Sequence, residues 1–175
     1  LPCFLDAFEL LLRKFPGLEG VVPVPDAKIE QLVRALIDAR PDLRNKVVVR
    51  DCKAGMRARA VLMSSGTMSL ACSIAGIPGV IAYRAHPLTY WLGRYLVKVP
   101  YLGMSNLLLP DSPPYQEFLQ GAANGKTLAK AMSVFIESKE IRKEFEKSAK
   151  TLTGILAQPH ERGPAEWLLQ EGGLG

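Results

Sequence analysis

The sequence predicts a doubly wound α/β fold, in which parallel strands form a sheet covered by helices on both faces. Three observations predict it. Helical and short apolar segments alternate four times before the pattern changes near residue 98. The apolar segments are continuous, β-branched runs, as strands buried on both faces require. The chain has 175 residues, 48% hydrophobic and 22% charged, which suits one domain with its own core and excludes a disordered tail.

Each element follows from its residues. Leu5, Phe8, Leu11, Leu12 and Phe15 line one helix face, and Pro16-Gly17 ends that helix. Gly20 to Pro25 reads as a short buried strand. Asp26 then stands where a cap belongs, ahead of the apolar stripe Ile29, Leu32, Val33, Leu36 and Ile37. Pro41 stops this second helix. Lys46 to Arg50 is a second strand, and a turn holding Gly55 leads to a third, Ala60 to Met63. Ser64-Ser65-Gly66-Thr67 opens a helical run to Ala75, closed by Gly76. Gly79 to Tyr83 is the fourth strand, and Leu88 to Val97 is helical and aromatic. Tyr101 to Tyr115 is loop-rich, with Pro110, Pro113 and Pro114. Helices over Thr127–Ser138 and Lys139–Ala157 follow. The second carries Ile141, Phe145, Ala149 and Leu152 on one face and Lys143, Glu144, Lys147 and Lys150 on the other. The tail, Pro159 to Gly175, holds a short helix around Trp167. This divides the chain into a domain over 1–158 and a tail over 159–175.

Charge and composition narrow the function. Lys and Arg number 22 against 17 Asp and Glu, a net charge of +5. That balance suits an anionic partner such as a nucleotide or a phospholipid surface. No nucleic-acid-binding pattern accompanies it, so nucleic acid is not expected. Cys3, Cys52 and Cys72 are scattered and the only histidines are His86 and His160, so no metal site is expected. Unpaired cysteines fit a reducing compartment. The longest apolar stretch, Ile74 to Tyr83, is too short to span a bilayer. The chain begins at Leu1, directly in a helical pattern, and reads as a piece whose N-terminal part is missing.

The most informative stretch is Ser64 to Thr67, between a strand and a helix. In a parallel sheet that is the carboxyl edge, where ligands bind. Gly66 admits close backbone approach, the helix amides point outward and the hydroxyls add donors, a cradle suited to a diphosphate. The same residues also suit a plain N-cap. Neither GxxxxGK[ST] nor GxGxxG occurs. Arg84 closes the fourth strand at the same edge, within reach of a phosphate or simply solvated. His86, beside Pro87, reads as a loop histidine, and no general base is expected in this chain. Tyr83, Tyr90, Trp91, Tyr95 and Tyr101 cluster with Arg84, Arg94 and Lys98. That segment suits an anionic membrane surface or the packed face of one helix. Asn106, Glu117 and Gln120, by spacing alone, are ordinary loop and helix-surface residues.

In order along the chain, these residues resemble the C-terminal half of the lipid-A-disaccharide synthase family. The matching motifs are Phe15-Pro16-Gly17-Leu18 with Val22-Pro23-Val24, Ser65-Gly66-Thr67 with Leu70, and Ala75-Gly76-Ile77-Pro78 with Ala82-Tyr83-Arg84. They continue through Pro87-Leu88-Thr89-Tyr90-Trp91-Leu92, Leu96-Val97-Lys98, Ser105-Asn106-Leu107-Leu108 and Gln116-Glu117-Phe118-Leu119-Gln120. The resemblance covers about residues 1–155. It implies a Rossmann-like domain, the C-terminal, donor-binding domain of a GT-B glycosyltransferase. It implies an inverting transfer of 2,3-diacylglucosamine from UDP-2,3-diacylglucosamine to 2,3-diacylglucosamine 1-phosphate, at the cytoplasmic face of the bacterial inner membrane or in the cytoplasm. The UDP-sugar is a substrate, and neither cofactor nor metal is implied.

By position, Ser65, Gly66 and Thr67 would contact the UDP diphosphate, and Arg84, Asn106, Glu117 and Gln120 would line the donor side of the cleft. The catalytic base would lie in a missing N-terminal domain, leaving this chain alone inactive. A homo-oligomer is compatible with the resemblance. Ala71 stands where the family carries a Glu that holds ribose hydroxyls. Another GT-B transferase, a UDP-sugar epimerase, or a non-catalytic relative binding UDP or membrane are the alternatives.

Overall fold

The computed structural model describes residues 1–53, 57–64, 66–84 and 100–157. The elements, in order, are α1 (Pro2–Lys14), β1 (Gly20–Val24), α2 (Ala27–Asp38), a 3-10 turn (Pro41–Leu43), β2 (Val47–Asp51), β3 (Val61–Met63), α3 (Gly66–Ile74), β4 (Gly79–Tyr83), α4 (Met104–Leu108), β5 (Gln116–Leu119), a 3-10 turn (Gln120–Ala122), α5 (Gly125–Glu137) and α6 (Lys139–Leu156). All strand pairing is parallel, as the unbroken apolar runs predict. It falls into two sheets, β1-β2 and β3-β4-β5.

Helix ends form where the residues demand them. The Asp26 carboxylate accepts from Ile29 N–H at 2.8 Å, so the cap read from the sequence holds α2. Asn124 does the same for α5, accepting from Thr127 N–H at 3.1 Å, and this starts the helix earlier than Thr127. Ser138 caps α6 through Ile141 N–H at 3.3 Å. Gly76, with φ +66°, closes α3 in the left-handed region that an L side chain pays to enter.

Two helix layers sandwich the strands. Leu5 of α1 and Val33 and Ile37 of α2 pack on Val24, Val47 and Val49, with Phe8, Leu12 and Val22 beside them. The other side of α1, through Ala7 and Leu11, packs with α5 on Val80, Ala82 and Phe118, with Leu62 alongside. Thus α1 spans both sheets. Its Leu5 and Leu11 are nearly fully buried, each contributing about 1.5–3 kcal/mol. On the opposite face, α3 and α6 cover Met63 and Ile81 through Cys72 and Phe145, which Tyr115 joins. The predicted apolar face of α6 is the one buried, with Leu152 fully enclosed.

The fold departs from the sequence expectation in three places, the first being that the described strands form two sheets and not one. Met104–Leu108 is a helix and Gln116–Leu119 a fifth strand, where loop and helix-surface residues were expected. The predicted helix at Leu88–Val97, the turn around Gly55 and the tail helix at Trp167 lie outside the described residues.

Candidate functional site

Because β3, β4 and β5 run parallel, their carboxyl ends share one edge. Ser64 to Thr67 follows β3, Arg84 follows β4 and Gln120 follows β5. Gly66 is the first residue of α3 and Thr67 the second. The N-terminal amides of this helix, at the positive end of its dipole, therefore open onto that edge. Thr67 and Ala71 are both exposed and four apart, on one face of α3. Ser65 lies outside the described residues, as do Tyr90, Trp91, Arg94, Tyr95 and Lys98 of the aromatic and basic segment.

Behind the edge lies a polar network, buried at Asn106 and Tyr115, that binds the loop ahead of α4 to the sheet. The Glu117 carboxylate accepts from Leu102 N–H through Oε2 and from Gly103 N–H through Oε1, both at 2.9 Å. Asn106 donates to the same Oε1 at 2.8 Å. Asn106 is fully buried. Its amide also donates to Tyr115 O at 2.8 Å, and its carbonyl accepts from Tyr115 N–H at 3.0 Å. The Tyr115 hydroxyl donates to Ile77 O at 2.8 Å. Burial, and then the charge of Cys72, hold its phenol well above the usual tyrosine range. Burial also pushes the Cys72 thiol up.

The glycines make this packing possible. A Cβ on Gly66 would stand 2.9 Å from Leu102 O, so α3 begins against the very loop that Glu117 holds. A Cβ on Gly103 would overlap Ile81 and crowd Glu117 Oε1 and Ser69 Oγ. The chain from Glu117 through Leu102 and Gly103 to Gly66 therefore sets where the α3 N-terminus sits.

The structure thus brings Gly66, Asn106 and Glu117 into one assembly. Asn106 and Glu117 spend their polar atoms on the protein itself. Arg84 is exposed at the end of β4. Gln120 has φ 50°, the one positive φ outside glycine among the described residues. Such strain costs about 1–3 kcal/mol and concentrates at binding and catalytic sites. Tyr115, Leu102 and Gly103 were missed in the sequence. Gly103 gave no signal, because the stretch that holds it read as loop and the helix after it came only from the structure. Among the described residues, no group of three or more His, Cys, Asp or Glu could hold a metal ion. Nor is any helix long and apolar enough to cross a membrane.

Fold and edge together define a Rossmann-like α/β domain whose strand ends open onto a helix N-terminus. The lipid-A-disaccharide synthetase family matches residues 1–168, and the chain belongs to that family. It is 38% identical over 141 residues to the lipid-A-disaccharide synthase of Sodalis glossinidius (strain morsitans), covering 79% of this chain and 37% of that protein. It is 40% identical over 107 residues to that of Serratia proteamaculans (strain 568), covering 60% and 28%. With the enzyme of Salmonella agona (strain SL483) it shares 37% over 131 residues, 74% and 34%. The chain spans about a third of the length of these curated relatives. No solved structure matches it.

Proposed function

We propose that this chain is the donor-binding half of a lipid-A-disaccharide synthase. The full enzyme would transfer 2,3-diacylglucosamine from UDP-2,3-diacylglucosamine to 2,3-diacylglucosamine 1-phosphate, giving lipid A disaccharide 1-phosphate and UDP. The observation that carries this reading is the close seating of Gly66, at the start of α3, against the loop that Glu117 holds. A diphosphate at the carboxyl edge would meet amides and a helix dipole already in position, with Thr67 and Arg84 as further donors. As the acceptor hydroxyl forms its bond to the anomeric carbon, the bond to UDP breaks. The growing negative charge on the leaving phosphate is then stabilised by fixed dipoles that need no reorganisation. The hydroxyl proton passes to a base outside this chain.

Asn106 and Glu117 act here as positioning residues, through Leu102 and Gly103. Ala71, on the same exposed face of α3 as Thr67, offers no oxygen to ribose hydroxyls, which weakens the grip on the nucleoside. The aromatic and basic segment suits acylated substrates at an anionic membrane surface, with the enzyme peripheral at its cytoplasmic face.

A UDP titration of the purified chain, by calorimetry and thermal shift with AMP as control, tests this reading. UDP at 100 times its Kd adds about 2.7 kcal/mol of stability. Stabilisation by UDP and not by AMP is expected. A folded chain that responds to neither refutes an intact donor half-site.

A further inference from the structure

The first turn of α3 holds a serine that packing does not ask for. Ser69, the fourth residue of the helix, is fully buried, between Met68 and Leu70 in the sequence. Serine is a poorer helix former than alanine, because its hydroxyl competes for nearby backbone groups. Here that competition has one outcome: Ser69 Oγ donates to Gly66 O at 2.6 Å. A carbonyl oxygen has two lone pairs, and the helical N–H of residue 70 uses one of them. The hydroxyl takes the other. A Cβ on Gly103 would lie 3.3 Å from Ser69 Oγ and 3.2 Å from Glu117 Oε1, so the Leu102–Gly103 loop runs between the hydroxyl and the carboxylate.

The bond also fixes the other end of the same peptide. Gly66 O and Thr67 N–H belong to one planar, trans group and point in opposite directions. Thr67 is the second residue of α3, so its N–H has no acceptor within the helix. Nothing inside the helix aims that amide, and the serine hydroxyl aims it from the carbonyl side. A bond accepted by the oxygen also draws charge along the peptide and makes the N–H a stronger donor. Ser133 makes the matching bond to Lys130 O at 2.9 Å. That peptide lies in the interior of α5, where the Ala131 N–H already has a helical acceptor. The two bonds are alike in geometry and differ in what hangs on the far end of the peptide.

We propose that Ser69 is a positioning residue of the donor site. Its hydroxyl acts through the Gly66–Thr67 peptide and sets the direction and the donor strength of the Thr67 amide presented to a diphosphate. The role rests on the donor-binding reading above. The hydroxyl is enclosed and spent on Gly66 O, so it touches no ligand itself. The work is divided: Glu117, through Leu102 and Gly103, sets where the helix begins, and Ser69 sets which way its second amide points.

Ser69→Ala tests the role, because it removes only the oxygen. Gly66 O keeps its helical donor and no buried hydroxyl is stranded, so the chain still folds, which urea unfolding verifies. Ser133→Ala is the control for a bond of the same kind elsewhere. The first readout needs no nucleotide. The NMR order parameter of the Thr67 N–H, about 0.85 for rigid backbone, is expected to fall in Ser69→Ala, while in Ser133→Ala both Thr67 and Ala131 stay rigid. The second is UDP affinity by calorimetry. It is expected to weaken about three- to tenfold in Ser69→Ala, the worth of one net hydrogen bond, and to stay level in Ser133→Ala. Unchanged Thr67 order, or equal UDP affinity in the unaltered chain and Ser69→Ala, overturns the role of Ser69 and leaves the donor reading standing. A matching loss in Ser133→Ala overturns it as well. An unaltered chain that binds no UDP refutes the donor reading itself, and the role of Ser69 falls with it whatever the order parameter shows.

Discussion

Asn106 pairs with Tyr115 as a neighbouring strand would. Its amide donates to Tyr115 O at 2.8 Å, and its carbonyl accepts from Tyr115 N–H at 3.0 Å. One side chain thereby satisfies both backbone groups of a buried residue just ahead of β5, and its bond to Glu117 ties that point to the loop against Gly66.

Replacing Asn106 by Ala strands the Tyr115 N–H and C=O in the interior. Each unsatisfied group costs about 1–3 kcal/mol, so Asn106→Ala lowers stability by roughly 2–6 kcal/mol in urea unfolding. A loss under about 0.5 kcal/mol would contradict the pairing.

Glu117→Gln keeps the shape and removes one acceptor. One of the Leu102 and Gly103 amides then meets an NH2 group instead of an oxygen, and because these bonds are exposed or half-buried the loss costs about 1 kcal/mol. Because the loop seats α3, UDP affinity measured by calorimetry falls in the same variant while circular dichroism keeps its folded signature.

A methyl at residue 66 meets Leu102 O at 2.9 Å. Gly66→Ala is expected to weaken UDP binding at least tenfold through displacement of the helix start, about 1.4 kcal/mol. Gly121→Ala is the control, because nothing lies within 4 Å of the added carbon.

Burial raises the Tyr115 phenol above its ordinary value of 10.0. The folded state then holds this proton more tightly than the unfolded chain. The stability linked to it is complete below pH 10 and is lost as pH rises beyond it. Tyr115→Phe removes this contribution to the alkaline decline and also forfeits the bond to Ile77 O. Equal alkaline slopes in the two proteins, from unfolding at a series of pH values, would refute the raised phenol.

Ala71→Glu places a carboxylate on the exposed face of α3 that Thr67 shares. Tighter UDP binding is expected, and no gain would remove Ala71 as the cause of a weakened ribose grip.

Much of this protein is determined locally. The Asp26 cap, the turn at Gly76, the buried face of α6 and four of the five strands follow from periodicity, capping chemistry and β-branched runs, which act over a few residues. The motifs that follow β3 and β4 place Gly66, Thr67 and Arg84 at a sheet edge for the same reason. Tertiary structure alone decided β5 and α4. Gln116–Leu119 is short and half polar, and it becomes a strand because β4 offers it a ladder. Asn106 and Glu117 look like surface residues in the sequence because their partners, Tyr115 and the Leu102-Gly103 amides, are nine to fifteen residues away. Only folding brings those groups within hydrogen-bond distance, and around Asn106 and Tyr115 it removes the water that would otherwise satisfy them. The split into two sheets is tertiary as well, because a strand's edge is settled by what lies beside it and not by its own residues.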